Sequence, residues 1–350
     1  MQKNRQKIGA FKKTVIAICT FAILILIVSA AYTYYLYSKI NYQAPQVVDN
    51  INDSSLKENS DEAVPTEPDS KSIKVSVESN NAKGDLSRLP PFIHSFTPIV
   101  KVKQIDPLIT NVLILGLDGL DPKRANRSDS MIMLSIDQRH RSLKLTSFMR
   151  DQYVKLPYWS IGRKLNEAYV FGGPGNTINT INYFFGLDIQ KYVTLDFYNF
   201  QKVIDVVGDI EIDIAKREIP YIQGVTSPGL QKLTGSQALQ YARIRHADSD
   251  FFRVQRQRNV ITAIYNKFRD SDLLTKNNIL NELLPLVTTN LRLNEIIGLA
   301  FNSAENFKSN IAQYTVPKEG MYNVTTDLGY YINTDFAAQK ADLHKFIYGK

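Results

Sequence analysis

Asn111-Val112-Leu113-Ile114-Leu115-Gly116-Leu117-Asp118 reads as a strand with no polar face that ends in a glycine and an acid. Apolar residues on both sides of a strand mark a sheet covered on both faces. Two similar runs follow at Met131 to Ile136 and Leu143 to Phe148. Helical patterns then intervene: Thr177 to Phe185 after Gly172-Gly173-Pro174-Gly175, and Asn199 to Val207 before an alternating strand at Ile210, Ile212 and Ile214. In Leu233-Thr234-Gly235-Ser236-Gln237, Thr234 as N-cap with Gln237 three residues on is a capping box. It predicts a helix from Ser236 to Tyr241 that delivers Arg243 and Arg245 at its end. A second helix, Phe252 to Phe268, places Val254, Ile261, Ile264, Tyr265 and Phe268 near one apolar stripe. Strands alternating with helices predict an α/β domain, its sheet covered by helices.

Upstream, no charged residue falls between Lys13 and Lys39. Thr14 to Tyr37 is long enough to cross a bilayer, which takes ~20 apolar residues. Lys3, Arg5, Lys7, Lys12 and Lys13 precede it, which puts residues 1–13 in the cytosol as a basic stub and everything after the anchor, 14–37, outside. A cleaved signal peptide competes, through the small residues Val28-Ser29-Ala30-Ala31, but the run exceeds the ~7–15 residues of a signal h-region. Residues 38–95 are polar, carry prolines and read as a flexible extracytoplasmic linker. Residues 96–350 are the expected catalytic domain, with the tail from Asn277 to Lys350 completing it.

The 350 residues are 44% hydrophobic, enough for a large core, and the net charge of +8 suits an anionic partner. One cysteine, Cys19, excludes an intramolecular disulfide and a zinc site built on cysteine pairs. No GxxxxGK[ST] loop or GxSxG elbow occurs, so a nucleotide P-loop and an elbow-type serine hydrolase have no support. The topology opposes a nucleic-acid partner.

Ligands bind off the C-terminal ends of strands in α/β sheets, so Asp118 is placed to face one, and Asp129 at the entrance to the next strand can converge on it. Two carboxylates with few nitrogen or sulfur competitors suit Mg²⁺, which takes one or two carboxylates plus phosphate oxygens and water; loop capping is the competing role for either acid. Arg127, Arg150, Arg243, Arg245, Arg253 and Arg256 sit at element ends or on a polar helix face. Arginine is the residue of planar, bidentate phosphate recognition. On the Phe252 helix, Arg253, Arg256 and Gln257 share a face at i, i+3 and i+4, and Arg258, turned away, reads as a surface charge.

The ordered set Gly116-Leu117-Asp118, Arg127-Ser128-Asp129, Arg150-Asp151, Lys164-Leu165-Asn166-Glu167-Ala168-Tyr169, Gly172-Gly173, Tyr241-Ala242-Arg243-Ile244-Arg245 and Asp250-Phe251 to Arg256-Gln257 resembles the LytR-CpsA-Psr family of envelope glycopolymer transferases. The resemblance implies an α-β-α sandwich with a central mixed sheet, a hydrophobic groove for a polyprenyl chain and a charged mouth for its pyrophosphate. By motif position, Asp118 and Asp129 hold Mg²⁺, and Arg127, Arg150, Arg243, Arg245 and Arg253 bind phosphate. Lys164, Asn166, Asp250, Arg256 and Gln257 occupy further motif positions at the pyrophosphate. Two departures flank the arginine-aspartate pair: Met149 stands where the family has proline, and Gln152 where it has threonine.

The expected activity is transfer of a glycan from a polyprenyl-pyrophosphate carrier to a hydroxyl of peptidoglycan, with Asp151 or Asp129 accepting the proton. Hydrolysis of the carrier, or a scaffold that binds it without chemistry, uses the same arginines. The expected location is the bacterial cell membrane, with a single pass.

Overall fold

The computed structural model describes residues 31–44, 47–48, 97–119, 126–156, 162–306, 311–326 and 329–349. Helix α1 covers residues 31–39 and is followed by β1 (Asn41–Tyr42) and β2 (Val47–Val48). After β3 (Ile99–Val100) come the three long strands, β4 (Ile109–Leu117), β5 (Ser128–Asp137) and β6 (Ser142–Phe148). The short hairpin β7 (Tyr153–Lys155) and β8 (Gly162–Lys164) leads through a 3₁₀ turn, Leu165–Tyr169, into α2 (Gly173–Phe185). Then follow β9 (Lys191–Asp196), α3 (Phe197–Val207), the hairpin β10 (Ile210–Ile214) and β11 (Gly229–Leu233), and α4 (Gly235–Ala242). The chain closes with α5 (Asp250–Asp270), α6 (Leu273–Leu283), β12 (Thr288–Thr289), α7 (Leu293–Asn306), β13 (Ala312–Val316), the hairpin β14 (Tyr322–Thr325) and β15 (Tyr331–Thr334), and α8 (Phe336–Tyr348).

Seven strands form one mixed sheet in the order β1-β12-β9-β4-β5-β6-β13. The central neighbours β4, β5 and β6 are antiparallel, while β4 with β9 and β6 with β13 are parallel. Successive side chains point to opposite faces. Leu113, Leu115, Met131 and Met133 pack with Ile178, Ile181 and Phe185 of α2 and Leu343 and Ile347 of α8. On the other face Val112, Ile114, Leu134 and Ile136 look across a cavity of about 370 Å³ towards Ile261, Ile264 and Phe268 of α5, Leu280 and Leu283 of α6, and Ile296 and Leu299 of α7. Each sheet face thus has its own helical layer. That is why the β4 run is apolar throughout.

The three expected long strands and the expected helices form, with shifted ends. Pro174 in the first turn starts α2 at Gly173, ahead of the apolar pattern at Thr177. Thr234 and Gln237 make the capping box of α4. The alternating strand at Ile210 pairs with β11 alone and stays out of the main sheet.

Part of the segment read as linker is folded. β1 pairs with β12 at the sheet edge, β2 pairs with β3, and Leu36 and Ile40 are buried against Leu284 and Leu293. Edge pairing through the main chain leaves no mark on hydropathy, so the sequence did not show it. Residues 45–46 and 49–95 of that segment and residues 1–30, with most of the expected anchor, lie outside the described residues. Among the described residues no helix is long and apolar enough to cross a membrane.

Candidate active site

The site lies where β4 ends and β5 begins. Gly116 pairs with Ser130 and Leu117 with Ser128, so Asp129 is the extra residue of a β-bulge. A bulge re-aims one side chain out of the regular alternation. Gly116 permits the tight approach, since a Cβ there would stand 2.9 Å from Ser130 Cβ. One residue beyond β4, Asp118 donates its N–H to Arg127 O at 3.1 Å and accepts the Arg127 N–H on Oδ1 at 2.7 Å. This turn brings Asp118, Arg127 and Asp129 to one end of the sheet.

Asp129 is the hub. Its Oδ2 accepts from Arg150 NH1 at 2.7 Å and Arg245 NH2 at 3.1 Å, and its Oδ1 from Asn166 Nδ2 at 2.8 Å. Burial pushes the Asp129 carboxyl up, but Arg150, the Asn166 amide, Arg253 and Arg245 outweigh it and hold the group below the usual carboxylate range. Arg150 also reaches Asp151 Oδ2 at 3.3 Å and Asp250 Oδ2 at 3.5 Å. Lys164 Nζ holds the other Asp151 oxygen, Oδ1, at 2.6 Å.

Arg253, 2% exposed, completes the cluster. Its NH2 donates to Asp250 Oδ2 at 2.8 Å, while Nε and NH1 are buried with no hydrogen-bond partner. Burial, and the neighbouring Arg150 and Arg245, push its guanidinium down to about 10 against the pull of Asp250 and Asp129. The two unpaired donors of Arg253 thus stand beside two further arginines, Arg150 and Arg245. Gln257, one turn along α5, also has a buried Oε1 without a partner.

The structure corrects two expectations on the same helix. Arg256 was expected at the pyrophosphate; its Nε instead pairs with Glu218 Oε1 at 2.7 Å, its NH2 with Asp248 Oδ2, and its NH1 donates to Ile244 O at 3.1 Å. At ~100° per residue, Arg256 and Gln257 fall on opposite sides of Arg253, and of the acids that claim Arg256, Asp248 lies just before α5 and Glu218 comes from a distant segment. Arg258, expected as a surface charge, is buried and donates to Ser147 Oγ at 2.7 Å, Gln313 Oε1 at 2.9 Å and Gln255 Oε1 at 2.6 Å. Burial alone pushes it down to about 10. Arg243 is exposed and lies over the Phe197 ring at 4.6 Å, and the Arg127 side chain lies 3.9 Å from Glu167.

The residues that depart from the family pattern hold the arginine-aspartate turn. Met149 donates its N–H to Val316 O at 2.7 Å, a bond proline cannot make. Gln152, fully buried, donates to Met149 O at 3.0 Å and accepts from Thr334 Oγ1 at 2.8 Å. Tyr330 stands close enough to Asp151 and Asp250 that, after burial, their charges push its phenol further up. No motif pointed to it, because β15 reaches the site only through the tertiary fold.

Residues 59–345 match the model of the LytR_cpsA_psr family. The chain belongs to that family. Among LytR-CpsA-Psr relatives, the polyisoprenyl-teichoic acid–peptidoglycan teichoic acid transferase TagU of Bacillus cereus is 27% identical over 69% of this chain and 79% of its own length. TagV of Bacillus subtilis, which carries the same transferase description, is 32% identical over 54% of this chain, a match that spans about half (51%) of TagV. The crystal structure of B. subtilis TagV superposes with a TM-score of 0.59 at 26% identity, over 69% of this chain and 98% of that one.

The LytR-CpsA-Psr assignment makes Mg²⁺ the implied metal. The residues are of the right chemistry: two carboxylates, Asp118 and Asp129, and, beside Asp129, the buried Asn166 Oδ1, which has no hydrogen-bond partner, are hard oxygen donors, with both Asp129 oxygens shared with Arg150, Arg245 and Asn166. Among the described residues no group of three or more acidic, His or Cys side chains is arranged for a metal. A magnesium site does not need one, because phosphate and water complete its shell.

Proposed function

We propose that the protein is a membrane-anchored phosphotransferase that moves a glycopolymer from a polyprenyl-pyrophosphate carrier to a peptidoglycan hydroxyl. The observation that carries this reading is Arg253, buried with two unpaired donors among Arg150 and Arg245. A pyrophosphate supplies the missing acceptors and relieves the repulsion among the three cations. The apolar cavity continues from the same helix: Arg253 and Phe268 are separated by 15 positions of α5, about 22 Å at ~1.5 Å per residue. A lipid tail in the cavity and its headgroup at the arginines fit that span. The transferase descriptions of the relatives supply donor and acceptor class.

In the proposed step, the acceptor oxygen attacks the sugar-bearing phosphorus. A P–O bond forms to the acceptor, the bond to the bridging oxygen breaks, and polyprenyl phosphate leaves. Arg150, Arg245 and Arg253 take up charge on the phosphoryl oxygens, the main demand of such reactions. Asp118 and Asp129 would hold Mg²⁺, which would supply further charge neutralisation there. Asp151 or Asp129 accepts the acceptor proton; cations hold both carboxylates, Arg150 and Arg245 at Asp129 and Lys164 and Arg150 at Asp151.

The test uses the full chain in nanodiscs with Mg²⁺, a labelled polyprenyl-pyrophosphoryl glycan and un-crosslinked peptidoglycan strands, with products identified by mass spectrometry. Label joined to peptidoglycan through a phosphodiester, and lost in Asp118→Ala, is the expected outcome. Release of phosphoglycan into water alone identifies a hydrolase. Lipid binding without either product identifies a scaffold.

A further inference from the structure

We infer that the corner between α5 and α6, with Leu273 and Leu274 at its tip, dips into the outer leaflet of the bilayer and is the door through which the lipid carrier enters the cavity. The inference rests on the membrane-anchored reading above.

The direction of α1 carries the argument. Tyr32 donates its hydroxyl to Asn277 Oδ1 at 2.6 Å and accepts from Asn281 Nδ2 at 2.9 Å, on the middle of α6. Leu36 and Ile40, one and two turns later, are buried against Leu284 just past the end of α6 and against Leu293. α1 therefore runs alongside α6 in the same direction. The first residue of α1, at position 31 within the uncharged run Thr14 to Tyr37, therefore lies on the side towards the N-terminal end of α6.

At that end stand Leu273 and Leu274, 66% and 77% exposed and adjacent in the first turn of α6. Among the described residues, these two large apolar side chains are held out together and left mostly exposed. Tyr34, Tyr35 and Tyr37 of α1 are exposed as well and match an interfacial aromatic belt. The charges at the corner are mixed: Arg269 pairs with Asp270, and Asp272 caps α6. Apolar insertion, and not charge attraction, is therefore the mode of contact.

The cavity lies directly behind this corner. Phe268 from the last turn of α5 and Ile279 and Leu280 from the second turn of α6 line it. Leu274 and Leu280 are six positions apart, about 9 Å of helix at ~1.5 Å per residue. A prenyl chain leaving the leaflet at the corner enters an apolar lining without crossing water, and its pyrophosphate reaches the arginines at the far end of α5.

The experiment places a single label by Leu274→Cys, or by Leu230→Cys on β11 as an exposed reference, in the Cys19→Ser background of the full chain. The chain is reconstituted in vesicles containing bromine-substituted phospholipids. Quenching of an environment-sensitive fluorophore at position 274 and not at 230 is expected. Membrane-integrated protein with 274 no more quenched than 230 overturns the inference while leaving the anchor intact. Protein that fails to integrate overturns the anchor and the inference together. As a second measurement, the folded double variant Leu273→Glu/Leu274→Glu lowers kcat/KM for a long-chain donor in the bilayer and not for a short water-soluble one; equal effects on both overturn the door.

Discussion

Arg253 and Arg256 stand three residues apart on α5 and are equally buried, yet their partners give them opposite roles. Arg256 is matched by Glu218 and Asp248, whereas Arg253 keeps two donors unpaired. Arg253→Ala should weaken pyrophosphate binding about ten- to a hundredfold, the ~1.5–3 kcal/mol of hydrogen bonds to a charged group, with little loss of stability; calorimetric titration and a thermal melt separate the two. Arg256→Ala should do the reverse, costing about 3 kcal/mol because Glu218 is left as an uncompensated buried charge, while Asp248 keeps Arg217. Urea unfolding measures that loss. Asp129 gives a pH dependence. Its folded carboxyl lies below the unfolded value of about 3.9, so its contribution to stability is complete above that value and is lost as the pH falls through the folded one. Arg245→Ala removes one of the lowering charges, and its carboxyl titration, followed by carbon NMR, should move up. Residue types and positions were legible in the chain, since Asp118, Asp129, Arg150 and Arg253 could be picked by motif. Their partners were not, because Glu218 and Asp248 reach Arg256 only through folding.

At the level of elements, the bulge at Asp129 and the strand end at Gly116 form one device. Gly116→Ala puts a Cβ 2.9 Å from Ser130 Cβ, so the strands must part or slide. An overpacking cost of about 1–3 kcal/mol is expected, together with weaker pyrophosphate binding as Asp129 leaves its place; a melt and a binding isotherm on the same sample check both. The strands and the capping box of α4 were readable because each depends on neighbours within a few residues. The bulge was not, since it is a mismatch between two strands and neither strand alone contains it. The Met149–Gln152 contact is similar: two departures from a family pattern that looked separate form one hydrogen-bonded clamp on the arginine-aspartate turn.

Across the whole molecule, α1 and β1 join the N-terminal segment to the domain instead of leaving it on a loose tether. Leu36→Ala, at the end of the expected anchor, should therefore cost about 2 kcal/mol or more, the usual loss for a buried leucine. Chemical unfolding of the full chain and of the variant in the same detergent gives that difference. The sequence by itself determined the α/β class, the long strands, the helix carrying the arginines and the family, because hydropathy period, capping residues and motif order are local properties of the chain. Only the tertiary structure decided which arginines are paired and which keep unpaired donors, that Arg258 is buried, where the apolar cavity lies, and that the N-terminal segment docks on α6. Those outcomes depend on contacts between residues far apart in the chain, whose charges and surfaces meet only after the sheet has assembled.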